Sequence, residues 1–184
     1  NISPSVSMEG WIYGGTASNP SVSGNSGSGS VTYEYKVKDA ADLTYTTTKP
    51  SNAGTYTVRA TIGATTNYNG GTTTANFTIS KANGSVALSA ASGSTNYPNA
   101  KTITVTGNAS GGTLSVNTSN SSVATAVISG TTVTINPGTT TGKATITVTS
   151  AETSNYNAAT ATYEITVGKG TINVTPTAYA GEAD

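Results

Sequence analysis

The chain contains no cysteine and no histidine. Without thiols it has neither a disulfide framework nor a thiolate metal site. Without imidazole it has no Ser-His-Asp arrangement and no histidine base. Charge is scarce as well. Only 9% of the 184 residues are charged, eight basic against eight acidic, for a net charge of zero, where an ordinary domain has about 25%. This excludes a basic footprint for nucleic acid and a polybasic stretch for anionic lipid. No apolar run approaches the ~18 residues of a membrane span, and no signal peptide is visible. Tryptophan and phenylalanine occur once each, at Trp11 and Phe77.

What is present instead is threonine, serine, glycine and asparagine, around hydrophobic residues that make up 34% of the chain. Such a composition raises disorder as an explanation. It fails, because the apolar residues alternate in clean strand patterns and no net charge holds the chain open. The surface is therefore built of hydroxyls and amides, a makeup common in secreted bacterial proteins. A secreted chain free of cysteine is ordinary for Gram-positive surface proteins and unusual for small animal secreted domains.

The chain nearly repeats itself. Ala64-Thr65-Thr66-Asn67-Tyr68-Asn69 recurs as Ala151-Glu152-Thr153-Ser154-Asn155-Tyr156-Asn157, with one extra residue after the alanine. Each copy runs on into a strand and a lysine, Phe77 to Lys81 and Ile165 to Lys169, so the offset stays at 88. A period this long does not suit a solenoid or propeller; it suits a string of small, independently folded domains. The predicted boundaries are residues 1–81, residues 82–168, and a tail at residues 169–184 that opens like a further module. A domain of about 85 residues buries only ~60–65% of its unfolded surface, so each core is thin. The junction Ser80-Lys81-Ala82-Asn83-Gly84-Ser85 is short, which predicts a semi-rigid rod. The chain starts and stops mid-pattern and reads as a piece of a larger protein.

Period-two alternation marks the strands. The inward sets are Val31, Tyr33, Tyr35 and Val37; Tyr56, Val58, Ala60 and Ile62; then Ala75, Phe77 and Ile79. In the second copy they are Val86 and Leu88; Ile103 and Val105; Leu114 and Val116; Val133 and Ile135; Ala144, Ile146 and Val148; Tyr163, Ile165 and Val167. No stretch carries a helical stripe, and Gly, Asn and Pro punctuate every 8–15 residues. About seven short strands per copy predict an antiparallel β-sandwich. The run Ser23 to Ser30 looks like a linker but is placed inside the first domain, because the strands on either side are incomplete without each other.

Asn52-Ala53-Gly54-Thr55-Tyr56-Thr57-Val58 resembles the run before strand F of immunoglobulin-like domains, where a tyrosine hydroxyl bonds back to the preceding turn. The resemblance implies that Tyr56 bonds backbone near Pro50 to Ala53. It puts Val58 where antibody domains have their second cysteine, and Tyr33 or Tyr35 where strand C has its tryptophan. The second domain is similar to the bacterial immunoglobulin-like group 2 family through the run Asn117 to Ala126 and then Gly142 to Thr149. The first, with Tyr13-Gly14-Gly15, resembles the related repeat modules of large secreted clostridial-type proteins. The implied fold is all-β, two tandem immunoglobulin-like antiparallel β-sandwiches. The second domain lacks the tyrosine-corner run, so the copies are relatives and not duplicates.

Chemistry is thin. No G-x-S-x-G elbow, Walker loop or H-E-x-x-H occurs. The acids Glu9, Glu34, Asp39, Asp42, Glu152, Glu164, Glu182 and Asp184 are scattered, with no pairing of the kind a glycosidase needs. Asp39-Ala40-Ala41-Asp42 offers two carboxylates in a turn, too few for a hard cation without help; it reads as a solvated hairpin tip. Gly24, Gly27 and Gly29 precede no helix and so do not cradle a dinucleotide. Lys36 and Lys38 alternate outward and Lys81 and Lys169 lie at strand ends, which argues against an isopeptide cross-link in a core. Trp11 and Tyr13 together would suit stacking on a sugar ring if exposed, whereas a single tryptophan in a thin sandwich more often belongs to the core.

The expected protein is a non-enzymatic stalk segment of a bacterial cell-surface or secreted protein, outside the cell or in its wall, of a Gram-positive organism. It needs no cofactor and no metal, and its partners are neighbouring domains of the same polypeptide. The alternative is an adhesive or carbohydrate-binding module that takes host or cell-wall glycan or protein through Trp11 and nearby tyrosines such as Tyr13, or through the long Gly-Ser loop.

Overall fold

The computed structural model describes residues 3–175. The chain is all-β and divides into two compact units. The first takes in the chain up to Ser85 together with Ala109–Gly112 and Ala151–Ala159; the second comprises Val86–Asn108, Thr113–Ser150 and the chain from Thr160 on.

In the first unit the strands are β1 (Ser5–Ser7), β2 (Trp11–Ile12), β3 (Ser21–Ser23), β4 (Val31–Val37), β5 (Gly54–Ile62) and β6 (Gly71–Ser80). One sheet has the order β2-β6-β5-β4; the other is the pair β1-β3. Tyr35, Val58, Ala60, Phe77 and Ile79 from the large sheet cluster with Val6 and Met8, and Val22 packs against them. On the other side of the small sheet, serine hydroxyls pair across the strands, Ser5 with Ser23 at 2.8 Å and Ser7 with Ser21 at 2.9 Å. That alternation is what sets a three-residue strand down with one apolar contact inward and two hydroxyls outward.

The second unit contains β7 (Val86–Leu88), β8 (Ser92–Asn96), β9 (Lys101–Asn108), β10 (Leu114–Thr118), β11 (Ala124–Ser129), β12 (Thr132–Pro137), β13 (Gly142–Ser150) and β14 (Ala159–Gly168). They form two four-stranded sheets, β10-β13-β14-β8 and β11-β12-β9-β7. Ile103, Val105, Val133 and Ile135 from one sheet meet Ala144, Ile146, Val148, Tyr163, Ile165 and Val167 from the other in one cluster. Strands β11 and β12 are joined by Gly130-Thr131 alone, with Ser129 opposite Thr132. Gly130 takes φ 57°, the left-handed value that so tight a hairpin demands and a β-branched residue resists.

Four expectations need correcting. Among the described residues the strands number six in the first unit and eight in the second, to either side of the seven or so expected per copy. Between β4 and β5 the segment spanning residues 38–53 holds turns, a 3₁₀ turn at Asp42–Thr44 and a single bridge, Thr46 to Tyr35, in place of full strands. The sheets are not wholly antiparallel: β2 runs parallel to β6, and β8 parallel to β14. Val37 has the predicted parity but is 59% exposed, because it closes β4 at the sheet margin where nothing covers it. Finally, the inward sets read from alternation omit β11; its inner face is Ala124, Ala126 and Ile128, two of them too small to announce a strand.

Candidate functional site

Strand β2 sets the two predicted binding aromatics. Trp11 lies opposite Ile79 in the parallel pairing, and the Tyr13 N–H donates to the Ser80 carbonyl at 2.8 Å. Alternation turns Trp11 and Tyr13 to one side and leaves Ile12 59% exposed on the other. The half-buried Trp11 ring stacks on Phe77, centroids 5.5 Å apart and planes 15° from parallel. Tyr13 meets Tyr156 edge-on at 5.4 Å. Beside them is a groove of about 380 Å³ lined by Trp11, Tyr13, Gly14-Gly15, Ala17 and the Lys49 to Asn52 stretch. Lys49 is held there by the Ser18 carbonyl and Asn19 Oδ1, both at 2.7 Å. Trp11 thus has one face committed to the core, and Tyr13 one edge committed to Tyr156.

The tyrosine of the Asn-Ala-Gly-Thr-Tyr run does what the resemblance implied: the Tyr56 hydroxyl donates to the Asn52 carbonyl at 2.9 Å. Its ring is half-buried, stacked on Phe77 at 5.7 Å. The ring folds back over Gly54, where a Cβ would stand 3.1 Å from the hydroxyl oxygen.

A polar groove of about 460 Å³ covers the outer side of the large sheet, between Thr72, Thr74 and Asn76 and the Asp39 to Tyr45 segment. Asp42 accepts from Lys36 Nζ at 2.7 Å, and this bond and charge hold its carboxyl below the usual range. Lys36 also donates to the Ala40 carbonyl. Although it alternates outward as expected, this segment covers it to 12% exposure. Arg59 bonds Glu34 at 2.8 Å and lies 3.8 Å from the centre of the Tyr45 ring. Asp39, in left-handed backbone at φ 62°, faces Lys38 at 4.0 Å. Among the described residues, no group of three or more His, Cys, Asp or Glu side chains comes together.

Two further acids follow the same habit, while Glu9 is exposed and, among the described residues, in no ion pair within 4.0 Å. Glu152 accepts from Lys81 at 2.5 Å and Glu164 from Lys143 at 2.7 Å. The structure thus places Lys81 in an exposed ion pair and Lys169 at an exposed strand end. Glu182 and Asp184 lie outside the described residues. The Gly24 to Ser30 loop connects β3 to β4, pinned by Asn25, whose side chain bonds both the N–H and the carbonyl of Gly29.

One arrangement was not anticipated, namely what the repeated Asn-Tyr-Asn turn holds. Both copies close the same way, Thr65 N–H to the Tyr68 carbonyl at 2.9 Å and Thr153 N–H to the Tyr156 carbonyl at 3.0 Å. Within the first unit, the Asn155 side chain accepts from the Ala53 N–H at 2.9 Å and donates to Asn52 Oδ1 at 3.1 Å. Ala82 bonds the Asn155 carbonyl and the Asn157 N–H, both at 2.9 Å. Together with Tyr156 on Tyr13 and Glu152 on Lys81, the whole turn is gripped. The repeat was the signal available in the sequence, but its partners are distant along the chain and share no spacing with it.

No family model and no curated protein matches the chain. Among solved structures, it is similar in part to the S-layer protein rSbsC(31-844), at 21% identity and TM-score 0.39, over 83% of this chain and 24% of that one. It thus spans about a quarter of that S-layer chain. Other partial likenesses are the titin domains z1z2 crystallised with telethonin, at 15% identity, TM-score 0.39, over 91% of this chain and 98% of that one, and Drosophila N-cadherin EC1-4, at 8% identity, TM-score 0.35, over 90% and 49%.

Proposed function

We propose that this chain is a structural spacer in a bacterial cell-surface or secreted protein, made of two immunoglobulin-like sandwiches at residues 1–81 and 82–168, with residues 169–184 opening a further module. The observation that carries this reading is where the charged groups go. Glu34, Asp39, Asp42, Glu152 and Glu164 each lie within 4.0 Å of a lysine or arginine, and all but the Lys38–Asp39 neighbours fasten strands, turns or loops to one another. Carboxylates arranged for proton transfer would instead converge on a cleft with displaced pKa values. Most of the remaining surface is threonine, serine and asparagine, which stays hydrated without selecting a charged partner. On this reading the neighbours along the polypeptide are the principal partners, and neither metal nor cofactor takes part.

The Trp11 groove supports a second reading, in which a sugar ring stacks on the free face of the indole and Tyr13 borders it. One titration separates the two. Trp11 is the sole tryptophan, so its fluorescence reports this groove alone. A spacer leaves the emission unchanged across a panel of cell-wall and host oligosaccharides. A saturable shift that disappears in Tyr13→Ala would replace the spacer reading with the adhesive one.

A further inference from the structure

The second unit carries a copy of the surface that grips the Asn155-Tyr156-Asn157 turn, and no described residue fills it in the same way. Strands β5 and β13, and β6 and β14, correspond at an offset of 88, so Lys81 and Ala82 become Lys169 and Gly170. The tyrosine corresponds too. Tyr13 donates its N–H to Ser80, and Tyr97 donates its N–H at 3.1 Å to Gly168, the equivalent carbonyl. Ahead of β13, Thr141 stands where Ala53 stands ahead of β5. These residues border one cavity of about 260 Å³, lined by Tyr97, Thr139, Thr141, Lys169 and Gly170 among others. Tyr97 is 47% exposed, and Lys169 and Gly170 are exposed.

The first unit, conversely, carries a turn whose tyrosine leans only on its own unit: the Tyr68 ring lies over Gly27, where a Cβ would come within 2.9 Å of its Cγ. Asn67, Tyr68 and Asn69 have the backbone closure of the engaged copy, yet all three are exposed, Tyr68 by 39%. Asn155 and Tyr156 in the engaged copy are half-buried. Among the described residues, one chain therefore holds a mated turn and socket, a second turn engaged only by the Gly27 loop, and a socket with no turn in it.

We infer that the free socket at Tyr97, Thr141, Lys169 and Gly170 receives the Asn67-Tyr68-Asn69 turn of a second copy of this chain. The recognition is that of the mated pair: an asparagine amide against backbone ahead of the strand, tyrosine edge against tyrosine, and main-chain bonds to the residue after the lysine. Turn and socket are different surfaces, so the contact is heterologous and each added copy leaves one of each free. The free turn has Ala64 where the engaged one has Glu152, so Lys169 lacks its carboxylate. With a patch this small the association is weak, with Kd of order 0.1–1 mM. The inference rests on the internal repeat and is independent of the spacer role.

Sedimentation velocity on the whole chain, up to about 1 mM, tests it. The expected result is reversible, concentration-dependent association that continues past the dimer. Tyr97→Ala disables the socket and Asn67→Ala/Tyr68→Ala the turn, so each variant alone stays monomeric, while the two mixed stop at a heterodimer. Both changes lie on exposed side chains, and unchanged far-UV circular dichroism checks that they fold. Ala64→Glu supplies the missing partner for Lys169 and tightens association about two- to fivefold, a gain that misfolding does not produce. A chain that stays monomeric throughout, or association indifferent to all three changes, overturns the inference.

Discussion

Two tyrosine hydroxyls in this protein have opposite fates, and substitution by phenylalanine separates them. Tyr56 has a carbonyl partner at Asn52, so Tyr56→Phe removes that bond and lowers stability by about 1 kcal/mol. The Tyr163 hydroxyl is buried in the second unit with no hydrogen-bond partner among the described residues. Tyr163→Phe removes an uncompensated polar atom and should raise the melting temperature. Burial also pushes the Tyr163 phenol above its ordinary value of 10.0, and the Tyr35 phenol likewise, with Tyr33 adding to the shift. A raised phenol pKa means the unfolded chain releases its proton first. Stability is therefore full below about pH 10 and falls as pH rises through the folded values. Thermal melts between neutral and strongly alkaline pH check this, and Tyr163→Phe should lessen the fall. Of these two residues, Tyr56 could be read from its Gly-Thr-Tyr neighbourhood. The Tyr163 hydroxyl could not, because alternation gives the ring's direction and says nothing of what stands at its tip.

At the level of elements, the strands were legible because a sheet with one buried side writes its parity into the chain. Tyr56, Val58, Ala60 and Ile62, and the set from Ala144 to Val148, face inward as read. Partner and direction were not legible: nothing in Trp11-Ile12 tells that its neighbour runs parallel. Nor could the free socket be read. Tyr13 is 41 residues before Gly54 and Tyr97 is 45 before Gly142, since the loops between differ in length, so the tyrosines fall out of the 88-residue register. Turn chemistry offers a test at this scale. Gly130→Val forces a β-branched residue to a positive φ in a two-residue loop and should cost about 1–2 kcal/mol. Gly107→Ala, facing a contact at 3.4 Å with ordinary φ, should cost less. Denaturant melts of the two variants give the comparison, and equal losses would remove the hairpin argument.

For the molecule as a whole, the parallel pairings at β2-β6 and β8-β14 have a mechanical consequence. In each unit the strand near the point of entry lies beside the last strand and runs in the same direction. Tension that draws entry and exit apart slides these strands past one another once β1 or β7 has been pulled off. The ladder bonds are then loaded in shear, all at once, and not opened one after another like a zipper. The second unit has five residue pairs in that clamp, Glu164 to Gly168 against Ser92 to Asn96, where the first has two, Trp11 and Ile12 against Ile79 and Ser80. Stretching single chains by atomic force should give two rupture events, the weaker from the first unit, each releasing about 300 Å at roughly 3.5 Å per residue. Shortening the β8 clamp by Thr95→Pro, which removes an N–H from it, should bring the stronger event down towards the weaker and leave the weaker where it was.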